Sequence, residues 1–220
     1  MLRIVNEQLE DRGVLVKQGA IVDATIRESP RKPKGRKVYQ MPTHREETLQ
    51  EQAKRGVDTE GSWVKQGGKL EYGYKRHYVC DQGEGLVLGV STTRASAHES
   101  QHMSSVLNKT TLPPGSPVLA DKGYCSWSNA GLVQSKGLKN RIQKKGCRHK
   151  PLILWAGRYN KLISKDGYKI ERVFGSIKRC FGRLSASYVG MAKPHGQHVL
   201  EAICYNLYRP RGLIMSKSLG

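Results

Sequence analysis

The chain has 220 residues, 37% of them hydrophobic and 25% charged, enough for one folded domain with a real core. No apolar run reaches the roughly 18 residues of a membrane span, and the segment from Met1 to Glu7 lacks the character of a secretory signal. Against 18 Asp and Glu stand 38 Lys and Arg, a formal net charge of +20. So basic a chain calls for a polyanion, and nucleic acid fits better than a membrane surface, because no helix sets large apolar residues opposite Lys and Arg.

Residues 1–13 predict a short helix, with Ile4, Val5 and Leu9 at helical spacing and Gly13 to stop it. Gly19 to Ile26 predicts a buried strand with one acid, Asp23, inside it. Residues 27–62 are polar and rich in breakers and predict a loop, with room for a helical turn near Glu46 to Lys54. Residues 69–80 alternate as a strand, Asp81 to Gly85 turn, and Leu86 to Val90 return as the next strand. Residues 98–108 predict a helix. Pro117 to Asp121 is a short apolar strand ending in an acid. Asn129 to Ser135 suits a helix and Lys139 to Lys144 one more strand. From Tyr168 to Phe181, Ile170, Val173, Phe174, Ile177 and Phe181 form one apolar stripe at helical period. A last helix covers His198 to Tyr208. This order predicts a mixed α/β sheet covered by helices.

Three acids stand out. Asp23 lies inside one apolar strand and Asp121 at the end of another, where a carboxylate is costly unless something pairs it. Taken singly, each is more readily a turn cap or the partner of a Lys or Arg. Glu171 lies one residue off its helix's apolar stripe, on a face running Glu171, Gly175, Lys178, Gly182. The two glycines leave room for close approach, and a neighbouring face carries Arg172, Arg179 and Arg183 around Ser176. Two strand acids and one helix acid can together bind two divalent ions. Hard oxygen ligands select Mg²⁺ or Mn²⁺, and a paired site of that kind serves in-line phosphoryl displacement.

Several segments, in order, carry a resemblance: Val22-Asp23-Ala24-Thr25; Gly73-Tyr74-Lys75-Arg76-His77; Ala97-His98-Glu99-Ser100-Gln101; Leu119-Ala120-Asp121-Lys122-Gly123-Tyr124; the run from Ile170 to Arg179; and Ala202 to Leu207. Together they resemble bacterial insertion-sequence transposases of the DDE class, from about Leu2 to Leu213. The resemblance implies an RNase H-like fold, a mixed sheet flanked by helices, over residues 14–213, followed by a tail at 214–220. It carries the metal-binding and catalytic roles onto Asp23, Asp121 and Glu171, with two Mg²⁺ or Mn²⁺ ions as cofactors. It implies DNA cleavage at transposon ends and strand transfer into target DNA, by a homo-oligomer assembled on DNA in the bacterial cytoplasm, associated with the nucleoid. Lys178, seven residues after the glutamate as in the family, would hold a phosphate of the element end. The family favours arginine four residues before the glutamate, and this chain has Gly167 there. Family members carry a further N-terminal region that binds element ends. The expectation is that residues 1–13 are its remnant and that this chain binds ends weakly alone, or is an inactive DNA-binding fragment.

Other signals are weighed beside these. Lys136 to Lys150 holds Lys136, Lys139, Arg141, Lys144, Lys145, Arg148 and Lys150 with no acid, a phosphate-contacting surface more than a merely solvated face. Arg172, Arg179, Lys122 and Lys75 join the expected DNA-contacting set, and Arg31 to Lys37 is a looser basic arm. Tyr124 and Trp127 suit either stacking on a base or burial, and His77 suits packing or a phosphate contact. His98-Glu99-Ser100-Gln101-His102 matches the H-E-x-x-H zinc pattern without a third ligand. The five cysteines form no C-x-x-C pair and read as reduced thiols.

Overall fold

A computed structural model describes residues 1–34, 39–40, 50–51, 56–146, 151–181 and 185–217. Its helices are α1 (Leu2–Asp11), α2 (Met103–Leu107), α3 (Trp127–Ser135), α4 (Leu154–Cys180) and α5 (Ala192–Lys217). Its strands are β1 (Ala20–Glu28), β2 (Tyr39–Gln40), β3 (Gln50–Glu51), β4 (Ser62–Gln66), β5 (Lys69–Asp81), β6 (Val87–Arg94), β7 (Pro117–Ala120) and β8 (Lys139–Ile142).

The main sheet runs β6-β5-β1-β7-β8, with β4 paired to the first half of β5. β1 is antiparallel to β5 and parallel to β7, and β7 is parallel to β8. Three antiparallel strands followed by two parallel ones, with helices in the crossovers, is the RNase H-like arrangement that the resemblance implies.

Alternation along the strands sends side chains to two cores. Ala20, Val22, Val79, Val118 and Ala120 face α2 and α3, meeting Met103, Val106, Leu107 and Val133. Ile21, Tyr78, Cys80 and Leu119 face α4 and α5, meeting Ile163, Ile170, Val173, Ile177 and Ala202. α1 is built into the same body: Leu2 and Leu9 enter the two cores. Asn6 bonds Val87 O, and Asn206 of α5 bonds both Val87 and Asn6.

A buried charge cluster fastens α5 to the sheet. Glu201 accepts from Arg27 of β1 and Arg76 of β5, each at 2.6 Å, and from Gln197 at 2.8 Å. All three charged side chains are nearly inaccessible.

Several expectations shift. Ser62 to Gln66 is a strand, joined to β5 by Gly67 and Gly68, both at positive φ, the requirement of a tight hairpin turn. The helix expected over 98–108 is a three-residue 3₁₀ turn, Glu99–Gln101, followed by α2. α4 begins 14 residues before Tyr168, at Leu154, and α5 runs from Ala192 through Lys217, well beyond the helix expected over His198 to Tyr208. The helical turn near Glu46 to Lys54 lies mostly outside the described residues, and Gln50–Glu51 within it pair as β3 with β2.

Candidate active site

The β1–β7 register builds the site. Val22 pairs with Ala120, so Asp23 and Asp121, the next residue of each strand, are neighbours across the parallel pair. Ile21 and Leu119, two residues earlier, belong to the core beneath α4 and α5, and period-two alternation puts both aspartates on that same side. β7 ends at Ala120 because Asp121 opens a 3₁₀ turn, Lys122–Tyr124, which frees its carboxylate from the sheet. α4 crosses above. Its buried stripe of Ile163, Ile170, Val173 and Ile177 fixes its rotation, and the flank holding Ser164, Gly167 and Glu171 overhangs the strand ends.

Asp23, Asp121 and Glu171 line one cavity of about 350 Å³, together with Gln143, Ser164 and Gly167. Among the described residues, none of the three acids has a Lys or Arg in ion-pair contact. Among the described residues the bland reading of a paired or capping aspartate has no partner: Asp121 makes no side-chain cap, and the hydrogen bond Asp23 accepts comes from the Ala24 N–H at 2.7 Å. Burial pushes Asp23 up to about 7, against the Ala24 hydrogen bond, and the negative charges of Glu99, Asp121 and Glu171 add to the rise.

That electrostatic balance is the test of whether a cation fits. Among the described residues the cavity gathers carboxylate oxygen with no Lys or Arg in its lining, the hard donor set that Mg²⁺ or Mn²⁺ prefers. Among the described residues no three His, Cys, Asp or Glu side chains are close enough to form a ready-made cage. Carboxylates that repel one another would have to close in on an ion.

Glu99 is a fourth acid that sequence reasoning did not place here. Its carboxylate meets Lys75 Nζ at 3.3 Å and lies against Gly123, where a Cβ would collide with Glu99 Oε2. The signal was present in the matched His98-Glu99-Ser100 segment. Lys75, expected on DNA, is buried and committed to Glu99 and the Ala97 carbonyl. Lys122, Arg141, Lys144, Lys145, Lys178 and Arg179 are exposed, and so is Arg172, whose guanidinium lies 5.1 Å over the Tyr168 ring. Gly182, Arg183, Arg148, Lys150, Arg36 and Lys37 lie outside the described residues.

The paired readings of the aromatic residues resolve differently. Tyr124 is fully buried, whereas Trp127 is 95% exposed. His77 is core packing, between Thr93 Oγ1 at 2.9 Å and the Tyr124 hydroxyl at 3.3 Å, and burial pushes it down to about 3, so it stays neutral. His98 and His102 flank the Glu99–Gln101 turn as its two caps rather than sharing an α-helical face, which removes the zinc-protease geometry. No described helix is long and apolar enough to cross a membrane.

Comparison with known proteins gives two findings. The Transposase DDE domain family matches residues 15–207. A protein of Neisseria meningitidis serogroup B, named transposase for insertion sequence element IS1106, is 34% identical over 212 residues, covering 95% of this chain and 71% of that protein.

Proposed function

The chain belongs to the DDE transposases of insertion sequences, and from that premise we propose that Asp23, Asp121 and Glu171 form the catalytic centre for DNA cleavage at element ends and strand transfer into target DNA. One observation carries the assignment: the β1–β7 register sets two aspartates side by side at the strand ends, on the cavity that Glu171 overhangs.

Two Mg²⁺ or Mn²⁺ ions bound there would stabilise the attacking and leaving oxygens of an in-line phosphodiester displacement. The protein's own part is positional. Asp23 and Asp121 would hold the ions from the sheet and Glu171 from the helix, whose packing on the sheet brings the three acids to one cavity. Lys178 lies two helical turns beyond Glu171 on the same face and takes a phosphate, and Lys122 beside Asp121 takes another. Arg172, Arg179, Arg141, Lys144 and Lys145 extend the contact along the duplex. With phosphates positioned and their charge neutralised, the same centre serves two successive steps: hydrolysis releases a 3′-hydroxyl, and that hydroxyl then attacks target DNA. The working unit is an oligomer assembled on DNA.

Nicking of supercoiled DNA in Mg²⁺ or Mn²⁺ tests this. Asp121→Ala and Glu171→Ala should each abolish nicking while melting temperature and DNA affinity stay close to wild type. Undiminished nicking by either variant would sink the assignment. The second reading, DNA binding without cleavage, draws on Gly167, which leaves the cavity without the family's arginine. It predicts no nicking by the wild-type chain under any divalent metal.

A further inference from the structure

The first turns of α4 carry side chains that neither the core nor the proposed chemistry uses. Leu154, Trp155 and Leu162 are 85%, 61% and 62% exposed. Trp155 and Tyr159, one turn apart, stack with ring centroids 5.3 Å apart and planes at 16°. The Tyr159 hydroxyl donates to the Asn140 carbonyl at 3.3 Å, and Lys144 Nζ lies 5.9 Å over its ring, so the lower ring is held in place while the indole above remains open. Beneath this shelf is a second cavity of about 430 Å³, lined by Lys139, Arg141, Tyr159 and Leu162 among others. It shares Leu119 and Ile163 with the carboxylate cavity on the opposite flank of α4. Its lining cations, Lys139 and Arg141, are exposed, as is Lys144 over the Tyr159 ring. The one acid among its described lining residues, Asp166, is occupied by Lys169 at 3.2 Å and by Gln82 at 2.9 Å.

We propose that this shelf binds an unpaired nucleic-acid strand, with a base stacked on Trp155 and flanking phosphates held by the surrounding lysines and arginines. The chemistry selects that occupant. An apolar aromatic surface ringed by cations matches a polyanion that also presents bare π-faces. Duplex DNA keeps its base faces inside and would engage the cations alone. A second copy would bring an equally basic rim against this one, and like charges at short range oppose that contact. The inference rests on the DNA-binding part of the proposed function and adds a site distinct from the carboxylate cavity.

The test is equilibrium binding of a labelled 20-nucleotide oligothymidylate and of a duplex of equal length, by fluorescence anisotropy, with EDTA present. Trp155→Ala should weaken single-strand binding roughly tenfold or more and duplex binding less than about twofold. Trp155→Phe should restore most of the loss, and Lys139→Ala should weaken both ligands. The indole is exposed, so neither Trp155 variant should disturb folding, which the melting temperature checks. Equal losses for both ligands, or no loss for the single strand, overturn the proposal. So does a wild-type dimer in DNA-free buffer that Trp155→Ala dissociates, since the shelf would then be a contact between copies. With metal chelated and no cleavage read, this result is independent of the Asp121→Ala nicking test.

Discussion

At the scale of single residues, two acids tie the fold to pH with opposite signs. Asp23 binds its proton more tightly in the folded protein, with a pKa raised from 3.8 to about 7 by burial and by neighbouring acids. In metal-free protein its contribution is therefore fully favourable below about pH 4 and is lost as pH rises towards 7. Asp58 behaves conversely. Burial opposes its ionisation, but hydrogen bonds from Ser29, Tyr74, Gly190 and Glu60 prevail and hold its carboxyl below the usual range. Its contribution is present above about pH 4 and is lost as pH falls further. Asp23→Asn should accordingly stabilise the metal-free protein at pH 8, by about 1–2 kcal/mol after discounting for partial exposure, and change little at pH 4. Melting curves at the two pH values check this; an equal shift at both would mean that Asp23's charge is not what matters. Glu201 is the costlier residue. Glu201→Ala leaves two buried guanidinium groups, Arg27 and Arg76, facing each other without an anion, and should cost about 3–5 kcal/mol in urea unfolding.

At the scale of elements, what was legible followed from periodicity. The alternation of β5 and the apolar runs of β1 and β7 identified the central strands, and the stripe from Ile170 to Phe181 identified the second half of α4. The three acids stand out singly by their place in apolar strands and on a glycine-bearing helix face, and ordered motifs that match a family join them into one set; parity along β1 and β7 then accounts for two of them sharing a face. The first half of α4 was hidden because Leu152 to Trp155 and Leu162 are apolar yet exposed, which blurs the amphipathic pattern, and because Gly157 and Gly167 look like breakers. β4 falls between the polar stretch ending at residue 62 and the alternating run starting at residue 69, and its five residues are too few to show a period, although Gly67-Gly68 announces its turn. The glycines of α4 lead to a direct test. A Cβ at Gly167 or Gly175 would meet nothing within 4 Å, so the space beside Glu171 is real and alanine fits it without strain. Gly175→Ala should raise stability by about 0.5–1 kcal/mol through helix propensity alone. Gly167→Arg has room to extend into the carboxylate cavity and should strengthen binding of DNA; a longer side chain that weakens binding instead would mean that the open space at this position is itself required.

At the scale of the whole molecule, the net charge of +20 and the placement of the cations make separable statements about DNA affinity. Net charge alone predicts that any surface lysine contributes about equally. A localised footprint predicts that Lys122 beside Asp121, Lys178 on the helix of Glu171 and Lys144 over the Tyr159 ring each hold a phosphate, while Lys69 at the tip of the β4–β5 hairpin holds none. Counterion release distinguishes the two. Each phosphate contact contributes about 0.9 to the slope of log affinity against log salt for duplex DNA. Lys178→Ala and Lys144→Ala should therefore each reduce the magnitude of that slope by about one, and Lys69→Ala should leave it unchanged, in titrations between about 50 and 200 mM salt. If Lys69→Ala flattens the slope as much as Lys178→Ala does, the duplex is held by diffuse charge rather than in the groove beside α4, and the carboxylates have no fixed phosphate to act upon.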